Sequence, residues 1–229
     1  MHPIQSDILY VLMHQSVLTY TQLQPQDVPS NRFAYHLERL VSDGFIKKIA
    51  DGYTLTAAGR SLADRVSHET MSVRLQPHIV TTLSVANEAG EIALFKHSFQ
   101  PYLGVVGYPQ GRIHYGESVQ QAAERELAEK TGLTGVSLIH RGMIYITGAD
   151  EGVAISRILA HVFTGSVHGA PTLTCIDQTK GESFWGKIPE YVQAPYMPGF
   201  VEVTELLTRP KDSLFFAEII TKMPYSGAQ

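Results

Sequence analysis

Residues 116–133 read GESVQQAAERELAEKTGL, and the spacing inside this stretch decides the fold of most of the chain. Ser118 followed three residues later by Gln121 forms a capping box, so a helix starts here. Thr131-Gly132 supplies the stop, with Gly132 placed for a left-handed residue past the last turn. Positions 126, 129 and 130 are related by steps of three and four. They therefore share one helical face within an arc of about 100°. Val119, Ala123 and Leu127 fall on the neighbouring face and predict packing against a sheet. Two of the three positions on the first face are Glu126 and Glu129; the third is Lys130.

Working outward, the order is Gly111, five residues, Glu117, seven residues, Arg125-Glu126-Leu127, one residue, Glu129-Lys130, one residue, Gly132-Leu133. This closely resembles the Nudix box, Gly-x5-Glu-x7-Arg-Glu-U-x-Glu-Glu-x-Gly-U with U apolar, at every fixed position except Lys130. The resemblance implies a Nudix-type α/β/α sandwich with a mixed sheet over about residues 78 to 220. It also implies hydrolysis of a nucleoside diphosphate derivative, with Mg²⁺ as the cofactor. A hard ion of this kind is held by a few carboxylates and the substrate's own phosphates. Carried over by position, Glu126 and Glu129 are catalytic and metal ligands, and the Gly111 carbonyl is a further metal ligand. Arg125 ion-pairs with Glu117 and holds the preceding loop to the helix.

Lys130 departs from that pattern. It lies four residues after Glu126, the favoured order for an i,i+4 ion pair. A cation at about 5 Å opposes Mg²⁺ by about 6 kcal/mol when the dielectric is roughly 20. Three placements are open: an ion pair with Glu126, a stand-in for the metal that meets a ligand phosphate, or an excursion to solvent. A smaller departure is Pro109-Gln110-Gly111, where the family has paired glycines. Gln110 puts a side chain where backbone approaches a ligand closely. Together these argue for weak or absent hydrolysis and weak or absent Mg²⁺ binding.

Around the box, IVTTLSVA and EIALFKHS read as strands separated by Asn87-Glu88-Ala89-Gly90. RGMIYITG, VAISRILAHVFTG and ESFWGKIPE read as three more. FVEVTELLT and LFFAEIITKM both read as helix. In VAISRILAHVF, Ile155, Arg157, Leu159 and His161 alternate onto one side. Arg157 is a candidate for a ligand phosphate. Glu182, just before Phe184-Trp185, is a candidate on the ligand rim, and Lys130 completes the ligand set. His97, His114, His140 and His168 share no ligand spacing and read as surface or locally satisfied residues.

The N-terminal segment has another texture. Ile4, Ile8, Leu9, Leu12 and Met13 form a helical apolar face, and a short element follows at Tyr20 to Leu23. Ser30 is the expected N-cap of SNRFAYHLERLVSDG, with Gly44 just past its end. Asp51-Gly52 joins two short strand-like runs, a hairpin signal. YHLERLVSDGFIKK followed by YTLTAAG resembles the winged helix-turn-helix domains of bacterial transcription regulators over about residues 4 to 66. That resemblance implies DNA as a partner, read by Asn31, Arg32, Tyr35, His36 and Arg39 in the major groove. Lys47 and Lys48 beside the wing would contact phosphate. His36 has a second reading as a packed helix residue. Residues 1–70 hold six Lys/Arg and seven Asp/Glu, so the segment is not basic overall. The last helix is expected to run on through Met71 and Val73.

Composition sets the frame. At 229 residues and 44% apolar the chain suits two modest domains. A boundary is expected in the polar stretch SHETMSVRLQP: domain 1–70, connector 71–77, domain 78–229. Its one cysteine, Cys175, excludes an internal disulfide and a multi-thiolate zinc site and fits a reducing compartment. No signal peptide and no membrane-length apolar run is present, so a cytoplasmic protein without membrane partners is expected. The net charge of −4 gives no global pull toward nucleic acid.

The sequence therefore predicts an α+β protein of two domains, a winged helix followed by a Nudix-type sandwich. The pairing resembles the Nudix-related regulators of NAD and sugar metabolism, with the domain order reversed. It implies a homodimeric regulator sensing a nucleotide-like or phosphorylated small molecule. The alternative is an active Mg²⁺-dependent hydrolase whose winged helix dimerises or recruits it.

Overall fold

The computed structural model describes residues 1–67, 72–74, 76–99, 101–150, 152–187, 195–210 and 213–223. The chain divides into two compact units, Met1–Leu75 and Gln76–Gln229. The division falls within the expected connector 71–77, of which residues 71 and 75 lie outside the described residues.

In the first unit the elements are α1 (Pro3–His14), α2 (Tyr20–Leu23), α3 (Ser30–Ser42), β1 (Ile46–Ile49), β2 (Gly52–Leu55) and α4 (Ala57–Arg65). Pro3 opens α1 behind a capping box between His2 and Gln5, which suits a residue with no N–H to leave unpaired. Thr19 caps α2 and Thr56 caps α4. For α3 the N-cap is Pro29, with no side-chain cap, and Ser30 is the first helical residue instead of the expected cap. Ile8, Leu9, Leu12, Phe33, Leu37 and Leu40 bury the helical faces in one core with Ile46 and Leu55. β1 and β2 form the expected antiparallel hairpin, and Leu18 joins it through two backbone hydrogen bonds to Tyr53, 3.1 and 2.8 Å. Gly52 permits this approach: at φ +144° a side chain would be strained, and its Cβ would overlap the Leu18 carbonyl.

The expected extension of the last helix is corrected. α4 stops at Arg65, Val66 is extended, and Val73 pairs back with Val66 in an antiparallel bridge. Backbone bonds from Ser67 to Ser72 and from Arg74 to Arg65 close the bridge, so these groups are satisfied outside a helix. Met71 lies outside the described residues.

The second unit runs β3 (His78–Ala86), β4 (Ile92–His97), β5 (Val106–Gly107), β6 (Gln110–Arg112), α5 (Val119–Thr131), β7 (Ile139–Asp150), β8 (Val153–Ser166), β9 (Gly181–Gly186), α6 (Phe200–Leu207) and β10 (Phe215–Lys222). The sheet order is β10-β7-β8-β3-β4-β5, with β6 on β3 and β9 on β4. β10 with β7 and β3 with β8 are parallel, whereas β7 with β8 and β4 with β9 are antiparallel, so the sheet is mixed. Ala123 and Leu127 of α5 pack on Leu83, Val85, Ala93 and Phe163. Phe200, Val203 and Leu206 of α6 pack with Val80, Leu94, Ile144, Ala160 and Val162, the residues of opposite parity. One helix therefore covers each face of the sheet.

The segment FFAEIITK is a strand, which corrects its reading as helix. It pairs in parallel with β7, Phe215 beside Gly142 through Lys222 beside Ala149. Gly142 lets the strands meet, since a Cβ there would overlap the Phe215 backbone. The burial pattern alternates along β10, the period of a strand with one face on the core.

Candidate functional site

Helix α5 carries the box. Its start is the Ser118–Gln121 capping box, and it ends on Gly132 at φ +76°. The strand β6 runs past its inner side, where Gly111 is pressed against Glu126. A Cβ on Gly111 would overlap the Glu126 carboxylate, so any larger residue there would displace that carboxylate from its place beside β6.

Arg125 gathers the acidic residues. Its Nε donates to Glu117 at 2.6 Å and its Nη1 to Glu126 at 2.7 Å, with Glu129 at 3.4 Å. Nη2 reaches the Glu117 carboxylate at 3.0 Å and the Arg112 carbonyl at 2.9 Å. The fork-shaped guanidinium makes this possible, since a point-like ammonium could not reach four acceptors at once. Arg125 and the His114 backbone N–H hold the Glu117 carboxyl down to about 2. Glu117 in turn raises the Arg125 pKa.

Lys130 takes neither the ion pair with Glu126 nor the excursion to solvent that the sequence left open. Its residue is 9% exposed, and its Nζ lies 4.5 Å from the centre of the Phe95 ring. It makes no ion pair with Glu126, and no carboxylate among the described residues lies within ion-pair distance of it. The Ser183 hydroxyl donates to the Lys130 carbonyl at 2.6 Å and ties the end of α5 to β9. Backbone bonds from Thr174 to the Thr131 carbonyl and from Ile176 to the Glu129 carbonyl, both 2.9 Å, bring a loop over the same end.

Beside this end is a cleft of about 650 Å³. Its lining includes His97 from β4, Gly181, Glu182 and Ser183 from β9, and Thr174 and Cys175 from the loop. Glu182 thus reaches the cleft, at its rim, where it faces Lys96 at 3.9 Å. Arg157 is exposed on β8 opposite Thr147 and does not line the cleft. Lys130 is not among the lining residues either and adjoins the cleft through Phe95, whose ring centre is 4.9 Å from that of His97.

His97, expected from the sequence to be a surface or locally satisfied residue, is neither of these among the described residues. It is 7% exposed, and neither ring nitrogen has a hydrogen-bond partner among the described residues. Burial, then the nearby Lys130 charge, lower its pKa to about 4. The other three are partnered: His168 with Glu88 at 2.9 Å, His140 with His161 at 3.2 Å, and His114 with Glu117 at 3.8 Å. The alternation of β4 was the available signal. It puts Phe95 and His97 on one face, under the end of α5.

The residues present do not fit a divalent cation held by three carboxylates. Position 130 supplies an ammonium, leaving Glu126 and Glu129, both in contact with the Arg125 cation. Among the described residues no three His, Cys, Asp or Glu side chains converge as a metal site. The Gly111 carbonyl would add one neutral oxygen to that pair.

In the first unit Asn31, Arg32, Tyr35 and Arg39 are exposed along α3, and Lys47 and Lys48 are exposed on β1. Arg39 pairs with Asp43 at 3.3 Å. His36 is corrected: it is 8% exposed and stacks on His2 with ring centres 4.0 Å apart. It belongs to the packed side of α3, not the outward one.

A family model described as the NUDIX domain matches residues 76–207. A second, described as a domain of unknown function (DUF7347), matches residues 2–66. No curated protein matches the sequence. Among solved structures, the NUDIX domain of Shewanella oneidensis NrtR complexed with ADP ribose superposes with a TM-score of 0.53 at 18% identity, covering 67% of this chain and 97% of that one. The mutator MutT protein of Bacillus halodurans gives 0.51 at 22% identity, covering 63% and 90%. A NUDIX hydrolase from Nitrosomonas europaea gives 0.51 at 21%, covering 61% and 94%. At these identities the likeness is one of fold. No helix among the described residues is long and apolar enough to cross a membrane.

Proposed function

The chain belongs to the Nudix family, and we propose that within it this protein is a DNA-binding transcription regulator whose Nudix unit senses a nucleotide-like or phosphorylated metabolite. Hydrolysis by that unit is weak or absent. The observation that carries the reading is the position of Lys130. It replaces a box carboxylate, is buried against Phe95, and leaves two carboxylates already engaged by Arg125. A family-type Mg²⁺ site would have to assemble beside that cation.

Two further observations support the reading. The similar NrtR domain holds ADP ribose, a diphosphate ligand of the class proposed for the cleft here. In the first unit the order helix, short helix, helix, hairpin, helix is that of a winged helix-turn-helix, and Leu18 adds a third strand to the hairpin. On this reading α3 enters the major groove through Asn31, Arg32, Tyr35 and Arg39, with Lys47 and Lys48 on phosphates. Two copies of the chain reading a palindrome, in the cytoplasm, complete the proposal. The ligand acts by favouring one dimer arrangement over another.

The intact Glu117–Arg125–Glu126 arrangement favours a second reading, an active Mg²⁺-dependent Nudix hydrolase. Turnover of a nucleoside-diphosphate panel by the wild type and by Lys130→Glu separates the two. Activity gained only in Lys130→Glu supports the regulator. Robust wild-type turnover that Glu126→Gln abolishes overturns it.

A further inference from the structure

Lys130 and His97 both lie against the Phe95 ring at one end of α5, and each leaves its chemistry unfinished. Lys130 is 9% exposed, with no carboxylate among the described residues in ion-pair distance. The Phe95 ring offsets part of the cost of desolvating it, but a ring face carries no net charge. His97 is also more than nine-tenths buried, and neither ring nitrogen has a hydrogen-bond partner among the described residues. An orphaned polar atom in a protein interior is uncommon and calls for an explanation. The register explains why the two meet. Phe95 lies opposite Ser183 and His97 opposite Gly181 across β4 and β9, and the Ser183 hydroxyl fixes the Lys130 backbone. His97, Gly181 and Ser183 all line the 650 Å³ cleft.

We propose that Lys130 and His97 form a metal-independent anion subsite at the His97 wall of this cleft, which takes a phosphate or diphosphate group of the ligand. This deepens the sensor reading above and rests on it. The ammonium supplies the positive charge that a divalent cation supplies elsewhere in the family, and the ligand's phosphate supplies its missing counter-charge. The imidazole, neutral at neutral pH, has one N–H to donate to a phosphate oxygen and one lone pair for a ligand hydroxyl. No bond is made or broken. The site binds without hydrolysing, because a fixed ammonium has no bound water to activate.

The test is calorimetry and thermal melting of the full chain with inorganic pyrophosphate and with ADP-ribose, each in EDTA and in Mg²⁺. Pyrophosphate is expected to bind in EDTA with an affinity that Mg²⁺ does not improve. Lys130→Met should weaken that binding by about tenfold or more, through loss of a charge-assisted contact. The same variant without ligand should melt no lower than wild type, because an apolar chain of similar length replaces an uncompensated charge. His97→Phe should also weaken pyrophosphate binding. Absence of pyrophosphate binding, a requirement for Mg²⁺, or wild-type affinity in Lys130→Met overturns the subsite. If ADP-ribose still binds in Mg²⁺ under any of those results, the sensor reading survives. If neither probe binds in either condition, both fall.

Discussion

The Lys130 Nζ sits 4.5 Å from the centre of the fully buried Phe95 ring. That contact decides where a box residue of opposite charge goes in this fold. A desolvated cation over an aromatic face is worth about 2 kcal/mol. A double-mutant cycle of Lys130→Met and Phe95→Leu by urea denaturation is expected to give a coupling of about 1 to 2 kcal/mol. Strict additivity would show that the two side chains do not interact.

Gly111 and Glu126 test the fit between β6 and α5. Gly111→Ala places a methyl in the space of the Glu126 carboxylate and is expected to destabilise by about 1 to 3 kcal/mol. Adding Glu126→Ala should recover part of that loss, since the overlap then disappears. Equal stability of Gly111→Ala and wild type in chemical denaturation would contradict the close approach.

Arg125 is expected to resist conservative replacement. Arg125→Lys keeps the charge but cannot span Glu117, Glu126 and the Arg112 carbonyl together. The Glu117 carboxyl titrates at about 2 when folded against 4.5 ordinarily. Its stabilising contribution is therefore complete above 4.5 and is lost as pH falls from there toward 2. In Arg125→Lys, carboxyl NMR should find Glu117 titrating closer to 4.5.

His97 gives a second pH signature, in a higher range. Its folded value of about 4 lies below the ordinary 6.5. The unfolded chain thus binds the proton first, and stability falls as pH drops from 6.5 through 4. The full effect is about 3 kcal/mol for a shift of this size. His36, His140 and His161 are lowered too and slope the same way. The readout is therefore the difference between wild type and His97→Phe, whose stability should decline less between pH 7 and 4.5.

DNA binding is expected to separate the residues of the first unit. In a genomic binding selection, Arg32→Ala and Arg39→Ala should relax sequence preference. Lys47→Ala or Lys48→Ala should weaken all sites alike and lower the salt dependence by about 1 in slope. His36→Ala should cost stability and leave preference unchanged, because its ring is packed on His2. No enriched sequence at all would overturn the groove assignment.

Much of the molecule was legible in the chain because its signals are local. The capping box at Ser118, the stop at Gly132 and the Asp51-Gly52 hairpin each depend on a few consecutive residues. The Nudix spacing from Gly111 to Leu133 runs through one short strand, one loop and one helix that are consecutive in the chain, so sequence order sets most of their geometry. Local pattern does not specify an element whose partner is distant in the chain. FFAEIITK carries too little pattern to tell helix from strand, and its pairing with β7 some 70 residues earlier makes it β10. His36 looked outward until His2 covered it.

The sequence by itself determined the family, the helix that carries the box, and the presence of a lysine on its carboxylate face. Helical periodicity does not specify which neighbour a long side chain meets. Only the tertiary structure turned Lys130 toward Phe95, set His97 beside it and left Arg157 outside the cleft. Those placements follow from strand register between β4 and β9 and from which sheet face α5 covers. Both are fixed by contacts between residues far apart in the chain.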